Sequence, residues 1–293
     1  MPLCESTLHR KDWEREIERR REIVPDGRLS RIPASFRTIT FALLIAFAIP
    51  AVAEEPAQAK AAFQSYVTAL ETRFDAQNKS SDGYLWIDQN PQRREAVRKG
   101  EIQVEQVHAP QIDGGTIEDW IGGAFLPNAT LDQVLKVDQD YASYTKYYAP
   151  ELVQVRLIAH QGNHFQVFYR LKKHKVVTVV LDAVHDIDFL PLSPDRYSLR
   201  SRSASVREVR NAGQPDEEVL PQGQGLGFLW AMNSYWRVEQ RDGGVYVECE
   251  VVTLARSIPF GMGALLRPTI ESFASDSLEN TLNEKRRAVL GSH

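Results

Sequence analysis

The stretch LGFLWAMNSYWRVEQRDGGVYVECEVVTLA, residues 226–255, decides the fold. One parity of it carries Leu226, Phe228, Trp230, Met232, Ser234, Trp236 and Val238. After Asp242-Gly243, the parity of Val245, Val247, Cys249, Val251 and Thr253 is apolar. Alternation of period two marks strands with one buried face. Asp-Gly between two such runs signals a tight hairpin, because both central residues of a type I′ turn need positive φ. A two-residue loop pairs Arg241 with Gly244. Trp236 then faces Cys249, Val238 faces Val247 and Ser234 faces Val251, while Arg237 opposes Glu248 on the other side. A three-residue loop would set Trp236 against Glu250 and mix the faces, which is costly wherever one face is buried. The two-residue register is the one expected.

Downstream, Ile258-Pro259 ends the second strand, and Phe260-Gly261-Met262-Gly263 turns into a final helix whose first turns tolerate Pro268. Leu266, Ile270, Phe273, Ala274, Leu278 and Leu282 line one side of it, with Glu271, Asp276 and Glu279 on the other. The stripe has two readings, ordinary core and the wall of a ligand cavity. Upstream lies a series of strands: residues 153–159, then 165–171 after the turn at Gly162-Asn163, a nearly continuous apolar run at 176–184, and a longer polar strand at 197–209. Residues 211–225 form a Gly/Pro/Gln/acid loop, an insertion or flap. Before these strands, Pro127 to Thr130 reads as the start of a helix in which Leu131, Val134, Leu135, Tyr141, Tyr144 and Tyr148 recur at helical spacing. Two further strands precede it, residues 101–107 and 117–125, with Gly122 and Gly123 expected at a bend or bulge. A helix over 55–78, with Ala62, Tyr66, Ala69, Leu70 and Phe74 recurring, should pack outside the main domain or act as a leader helix.

The chain has 293 residues, 43% apolar and 25% charged, an ordinary globular balance. Residues 1–53 hold nine Lys/Arg against seven Asp/Glu, so of the net charge of -4 the remainder carries about -6. A mildly acidic body lacks the clustered basic face that nucleic-acid binding needs. Lys172, Lys173 and Lys175 form a short basic run that reads either as a solvated turn or as a transient contact with an anionic membrane.

The amino end reads as an address. Residues 39–49 are an apolar run, preceded by Arg28, Arg31 and Arg37 and followed by Pro50 and the small-x-small pattern Ala51-Val52-Ala53. Positive flank, short apolar core and A-x-A end describe a secretory signal, and the run is short of the roughly 20 residues that span a bilayer. Cleavage near Ala53 and a periplasmic location follow as expectations, against an uncleaved anchor or a buried core helix. The long charged stretch before it is either a cytosolic leader or a sign that translation starts downstream. With Cys4 removed, Cys249 has no disulfide partner.

Taken together, Asn233 to Arg237, the Gly243-Gly244-Val245-Tyr246-Val247-Glu248 strand opening, Ile258-Pro259 and the helix that follows resemble the START-like (helix-grip) superfamily of lipid-transfer domains, pollen-allergen relatives and polyketide cyclases, and an exported bacterial branch of it. The order strand, helical segment, antiparallel strands, long terminal helix is also that superfamily's order. The resemblance spans roughly residues 100–290. It implies an α+β fold in which a curved antiparallel sheet wraps a long C-terminal helix, with residues 100–293 as the helix-grip domain; the N-terminal helical segment, residues 54–99, and the 211–225 loop are departures that a minimal domain lacks. It also implies a cavity between sheet and helix for an apolar small molecule or lipid, with Val167, Tyr169, Trp230, Met232, Trp236, Cys249, Val251, Ile270 and Phe273 as candidate lining.

The residues themselves define no catalytic motif, metal site or cofactor motif. His160 and His164 flank a turn, where a turn role and a ligand role compete. Asp182, His185, Asp186 and Asp188 read as an acidic cluster at a strand end, solvated or metal-binding. Three functions therefore stand: an exported carrier of an apolar ligand, a cyclase-type enzyme using His160, Asp182 or Tyr169 as acid or base, and a structural protein whose cavity is filled by its own side chains.

Overall fold

The computed structural model describes residues 55–80, 82–174, 178–225, 229–257 and 263–291, with the backbone alone for residues 263–274. The expected signal segment, Lys175, Leu226, Phe228, Ile258-Pro259 and the side chains of Ile270 and Phe273 lie outside the described residues.

The chain begins with α1 (Ala57–Asn78), a short 3-10 turn (Trp86–Gln89) and α2 (Pro91–Arg98). β1 (Gln103–Val107) and β2 (Thr116–Pro127) follow, then α3 (Leu131–Gln139) and the single turn α4 (Tyr144–Tyr147). Next come β3 (Leu152–Gln161), β4 (His164–His174), β5 (Thr178–Ser193), β6 (Arg196–Arg210), the two-residue β7 (Glu218–Val219), β8 (Ala231–Arg241) and β9 (Gly244–Ala255), and last α5 (Gly263–Leu290). The strands form one antiparallel sheet in the order β1-β2-β9-β8-β6-β5-β4-β3, with β7 beside β6. The strand before the helical segment thus pairs with the last strand, and the long helix returns across the sheet. A long C-terminal helix held against one antiparallel sheet is the expected α+β helix-grip arrangement.

Local chemistry accounts for the elements. Asp242 and Gly243 both have positive φ, 55° and 78°, as the I′ turn requires. The β8–β9 register is the expected one: Arg241↔Gly244, Val238↔Val247, Trp236↔Cys249 and Ser234↔Val251. α3 opens on a capping box, with Gln133 N donating to Thr130 Oγ1 at 3.3 Å and Thr130 N to Gln133 Oε1 at 2.8 Å. α2 has Pro91 at its first position and Asn90 Oδ1 accepting from the amides of Gln92 and Arg93.

Gly122 and Gly123 mark no bulge. β2 pairs without a break to β1 and to β9 through both of them. Their role is thinness on opposite faces of the sheet. A Cβ on Gly122 would lie 3.0 Å from Leu282 Cδ1 of α5, and one on Gly123 would lie 2.7 Å from Ile87 Cγ2 of the 3-10 turn. Two elements approach the same point of β2 from either side, and only residues without side chains admit both.

The sheet is covered on both faces. On the inner face Leu278 and Leu282 of α5 join Val167, Ile187, Leu199, Val238 and Cys249 in the largest apolar cluster. On the outer face α1 lays Ala59, Phe63, Leu70 and Phe74 against Ile117, Tyr235, Val252 and Leu254. The 3-10 turn and α2 add Leu85, Ile87 and Val97 against Ile121, Phe125 and Tyr246. α1 is therefore part of the layered body, seated on the sheet. Its buried stripe runs through Phe63 in place of Ala69, which is exposed.

Ionic contacts reinforce that seat. Glu71 bonds Arg202 at 2.6 Å and accepts from the Tyr235 hydroxyl at 2.9 Å. Tyr66 donates to Asp119 at 2.7 Å, and Arg73 pairs with Glu250. The Arg237–Glu248 pair sits across the β8–β9 rungs as expected, at 3.0 Å, but both side chains are only 1% exposed because α1 and the 3-10 turn cover them. Glu248 also accepts from the amides of Trp86 and Ile87. Burial pushes Glu248 up to about 7, against the pull of Arg237 and those amides. Burial first, then the neighbouring Glu250, pushes Asp119 up to about 7. Among the described residues, no helix is long and apolar enough to cross a membrane.

Candidate ligand-binding site

Burial along β8 and β9 differs between the two faces. The outward side chains Asn233, Tyr235, Arg237, Glu239, Glu248, Glu250, Val252 and Leu254 are all buried. The inward set is sealed near the hairpin turn, at Val238, Val245, Val247 and Cys249. Farther along, Met232, Ser234, Trp236, Val251, Thr253 and Ala255 keep accessible surface although α5 lies over that face. Among the described side chains, the grip side therefore keeps open surface at the end away from the turn.

Of the residues expected to line a cavity, Val167 and Cys249 belong to the inner cluster, with Tyr169, Trp236 and Val251 packed against it. Met232 shares that strand face, half-buried and opposite Thr253. Trp230 does not belong there. It packs in the outer cluster under α1, 4% exposed. The alternation ends at Ala231, where β8 begins. Trp230 sits in a bend, its amide donating to Leu254 O at 2.7 Å, so its side chain is no longer bound to the strand's parity.

A polar cluster at the floor of the inner face has no signal in the sequence. Lys285 of α5 pairs with Asp138 at the end of α3, 2.5 Å apart and 2% and 3% exposed. Tyr197 donates to the other Asp138 oxygen at 2.7 Å, and Tyr144 donates to the Asp138 backbone carbonyl at 2.6 Å. The Lys285 ammonium lies 3.9 Å from the centroid of the Trp236 ring. Beside it stands an aromatic group from α3–α4 and β4. The Tyr144 ring is 5.0 Å from that of Tyr141, 5.2 Å from Tyr148 and 6.4 Å from Tyr169. Tyr144, Tyr148 and Tyr169 are only half-buried by surface, yet burial raises all three phenols well above 10. Tyr144 and Tyr169 pack against the inner apolar cluster and still keep accessible surface, so this group marks a recess on the grip side.

His185 also faces this side, beside Val167, its Nδ1 2.8 Å from Ser201 Oγ. Burial lowers it to about 4, so the ring is neutral. It is not part of the expected acidic cluster. Period two sends Asp182, Asp186 and Asp188 to the outer face, where Arg170, Gln166 and His164 respectively hold them, in the middle of β5 and not at its end. The acid/base set expected of a cyclase is not brought together either. His160 stacks on Phe165 near the β3–β4 turn, Asp182 is gripped by two Arg170 nitrogens at 2.7 and 2.9 Å, and Tyr169 alone is in the recess. Of the basic run, Lys172 is exposed but Lys173 turns inward to Glu151 and to Ser277 of α5.

No protein-family model matches the sequence, and the search of curated proteins found no match. Among solved structures the chain is similar to a fragment of a STAR-related lipid transfer protein from Xanthomonas axonopodis, with 15% identity, 63% of this chain and 98% of that one covered, and a TM-score of 0.43. It is similar also to human STARD10, with 10% identity, 69% and 80% covered and a TM-score of 0.42. A third is the Zhui aromatase/cyclase of a Streptomyces species, with 11% identity, 65% and 94% covered and a TM-score of 0.40.

Proposed function

We propose that the protein is an exported, periplasmic binder of an apolar small molecule or lipid, held between the inner face of the sheet and α5. The observation that carries this is the contrast between the two sheet faces. The outer side of β8 and β9 is sealed by α1 and the 3-10 turn, whereas the inner face keeps accessible apolar and aromatic surface at Trp236, Val251 and Tyr169. Ligand sites are mostly apolar recesses with a few placed polar groups, and the Asp138–Lys285–Tyr197 cluster supplies the latter. Export rests on the apolar run and the Ala51-Val52-Ala53 pattern. Native mass spectrometry of the purified protein, with extraction and identification of any released apolar molecule, tests binding. Val251→Trp, which fills the recess opposite Ser234, should abolish uptake of a pyrene probe while the circular dichroism spectrum is kept. A bare chain that takes up no apolar probe, or a crystal structure with this face packed solid, would refute the proposal.

A further inference from the structure

Several polar atoms on the grip side have no hydrogen-bond partner among the described residues, four of them close together. The Tyr141 hydroxyl and His185 Nε2 are fully buried and unpaired. The hydroxyls of Tyr148 and Tyr169, half-buried in the recess, make no hydrogen bond to any described residue. Their neighbours Tyr144 and Tyr197 differ, since both donate to Asp138. Buried polar groups are almost always satisfied, so the two buried orphans require a cause, and the two accessible hydroxyls beside them are open to a ligand.

The charges of the same region are already matched. The described cations that reach this face are Lys285, paired with Asp138, and Lys173, paired with Glu151. Glu284 is also close, its acidity weakened by burial. A ligand carboxylate or phosphate entering here would meet carboxylates and, among the described residues, no unmatched cation, and an unpaired buried charge is strongly disfavoured.

We infer that the recess selects a neutral ligand whose polar end is a hydroxyl or carbonyl group, held by the Tyr148 and Tyr169 hydroxyls, with Tyr141 and His185 beside them. The inference deepens the proposed function and depends on it. The phenols stay protonated and donate, while neutral His185 offers a donor or an acceptor according to its tautomer. Two such bonds, each contributing a few-fold, amount to about a tenfold preference.

The test uses three probes that share one tail: decylpyrene, pyrenedecanol and pyrenedecanoic acid, titrated into the purified protein by fluorescence. The alcohol should bind about tenfold more tightly than the acid. Tyr148→Phe/Tyr169→Phe should reduce alcohol affinity about tenfold, with the loss confined to the alcohol. If all three probes bind equally, or if the acid binds best, this inference falls and the apolar carrier stands. If the double variant leaves alcohol binding unchanged, the two phenols are not the reading groups and the inference again falls. If none of the probes binds, the proposed function falls with it. Thermal midpoints separate misfolding from loss of contact, since removing an unpartnered hydroxyl should not lower them.

Discussion

Asp138→Asn should be among the most damaging single substitutions in the inner core, although it changes one heavy atom. Asp138 and Lys285 are almost fully buried and 2.5 Å apart. Removing the carboxylate leaves the Lys285 ammonium desolvated, with only the Trp236 ring as compensation. Breaking a buried pair from one side costs about 3–5 kcal/mol. For a body of this size that lowers the thermal midpoint by about 6–20 °C. The amide can still accept from Tyr197, so loss of that hydrogen bond is not the main term. Lys285→Met removes the stranded charge while its stem still covers Trp236, and the double substitution should recover much of the loss. Urea titrations of wild type, both singles and the double yield the coupling energy, expected at about 2 kcal/mol or more. A cost below about 1 kcal/mol for Asp138→Asn, or strict additivity in the cycle, would refute the reasoning.

The outer layer should show a pH signature of opposite sign to that of the inner one. Glu248 and Asp119 bind protons more tightly folded than unfolded, at about 7 against 4.5 and 3.8, so their contribution is full below about pH 4 and is lost as pH rises through about 7. His185 is lowered from 6.5 to about 4, so its contribution is present above 6.5 and is lost as pH falls toward 4. In denaturation series from pH 4 to 8, Asp119→Asn should flatten the alkaline decline and His185→Gln the acid one; unchanged slopes would contradict both assignments. Gly123→Ala drives a Cβ to 2.7 Å from Ile87 Cγ2 and should cost about 1–3 kcal/mol, partly restored by adding Ile87→Ala. Restoration would be missing if Gly123 served backbone freedom instead of close approach. Tyr141→Phe removes a buried hydroxyl with no partner and should be neutral or raise stability by about 1 kcal/mol, whereas Tyr197→Phe, which gives up a bond to Asp138, should cost about 1.5–3 kcal/mol. A Tyr141→Phe variant less stable than Tyr197→Phe would reverse the roles given to the two phenols.

The sequence by itself determined whatever depends on a few neighbouring residues. Asp242-Gly243 set the hairpin and, through period two, the partners of Trp236, Val238 and Arg237. Thr130 and Gln133 marked the start of α3, and the order of elements around the hairpin carried the helix-grip architecture. Only the tertiary structure decided what lies on either side of those elements. Alternation separates two faces but says nothing about which will be covered, so Arg237 and Glu248 read as an ordinary cross-strand pair until α1 and the 3-10 turn close over them. It also lapses where a strand ends, which is why Trp230 left the expected lining for the outer cluster. The close approach at Gly122 and Gly123, Leu282 from one side and Ile87 from the other, was not legible because both partners lie in distant segments. The pairing of Lys285 with Asp138 has no local signature at all. A lysine on a terminal helix and an aspartate at the end of α3 become partners only when the sheet brings both to one face, and burial then makes the pair necessary to each.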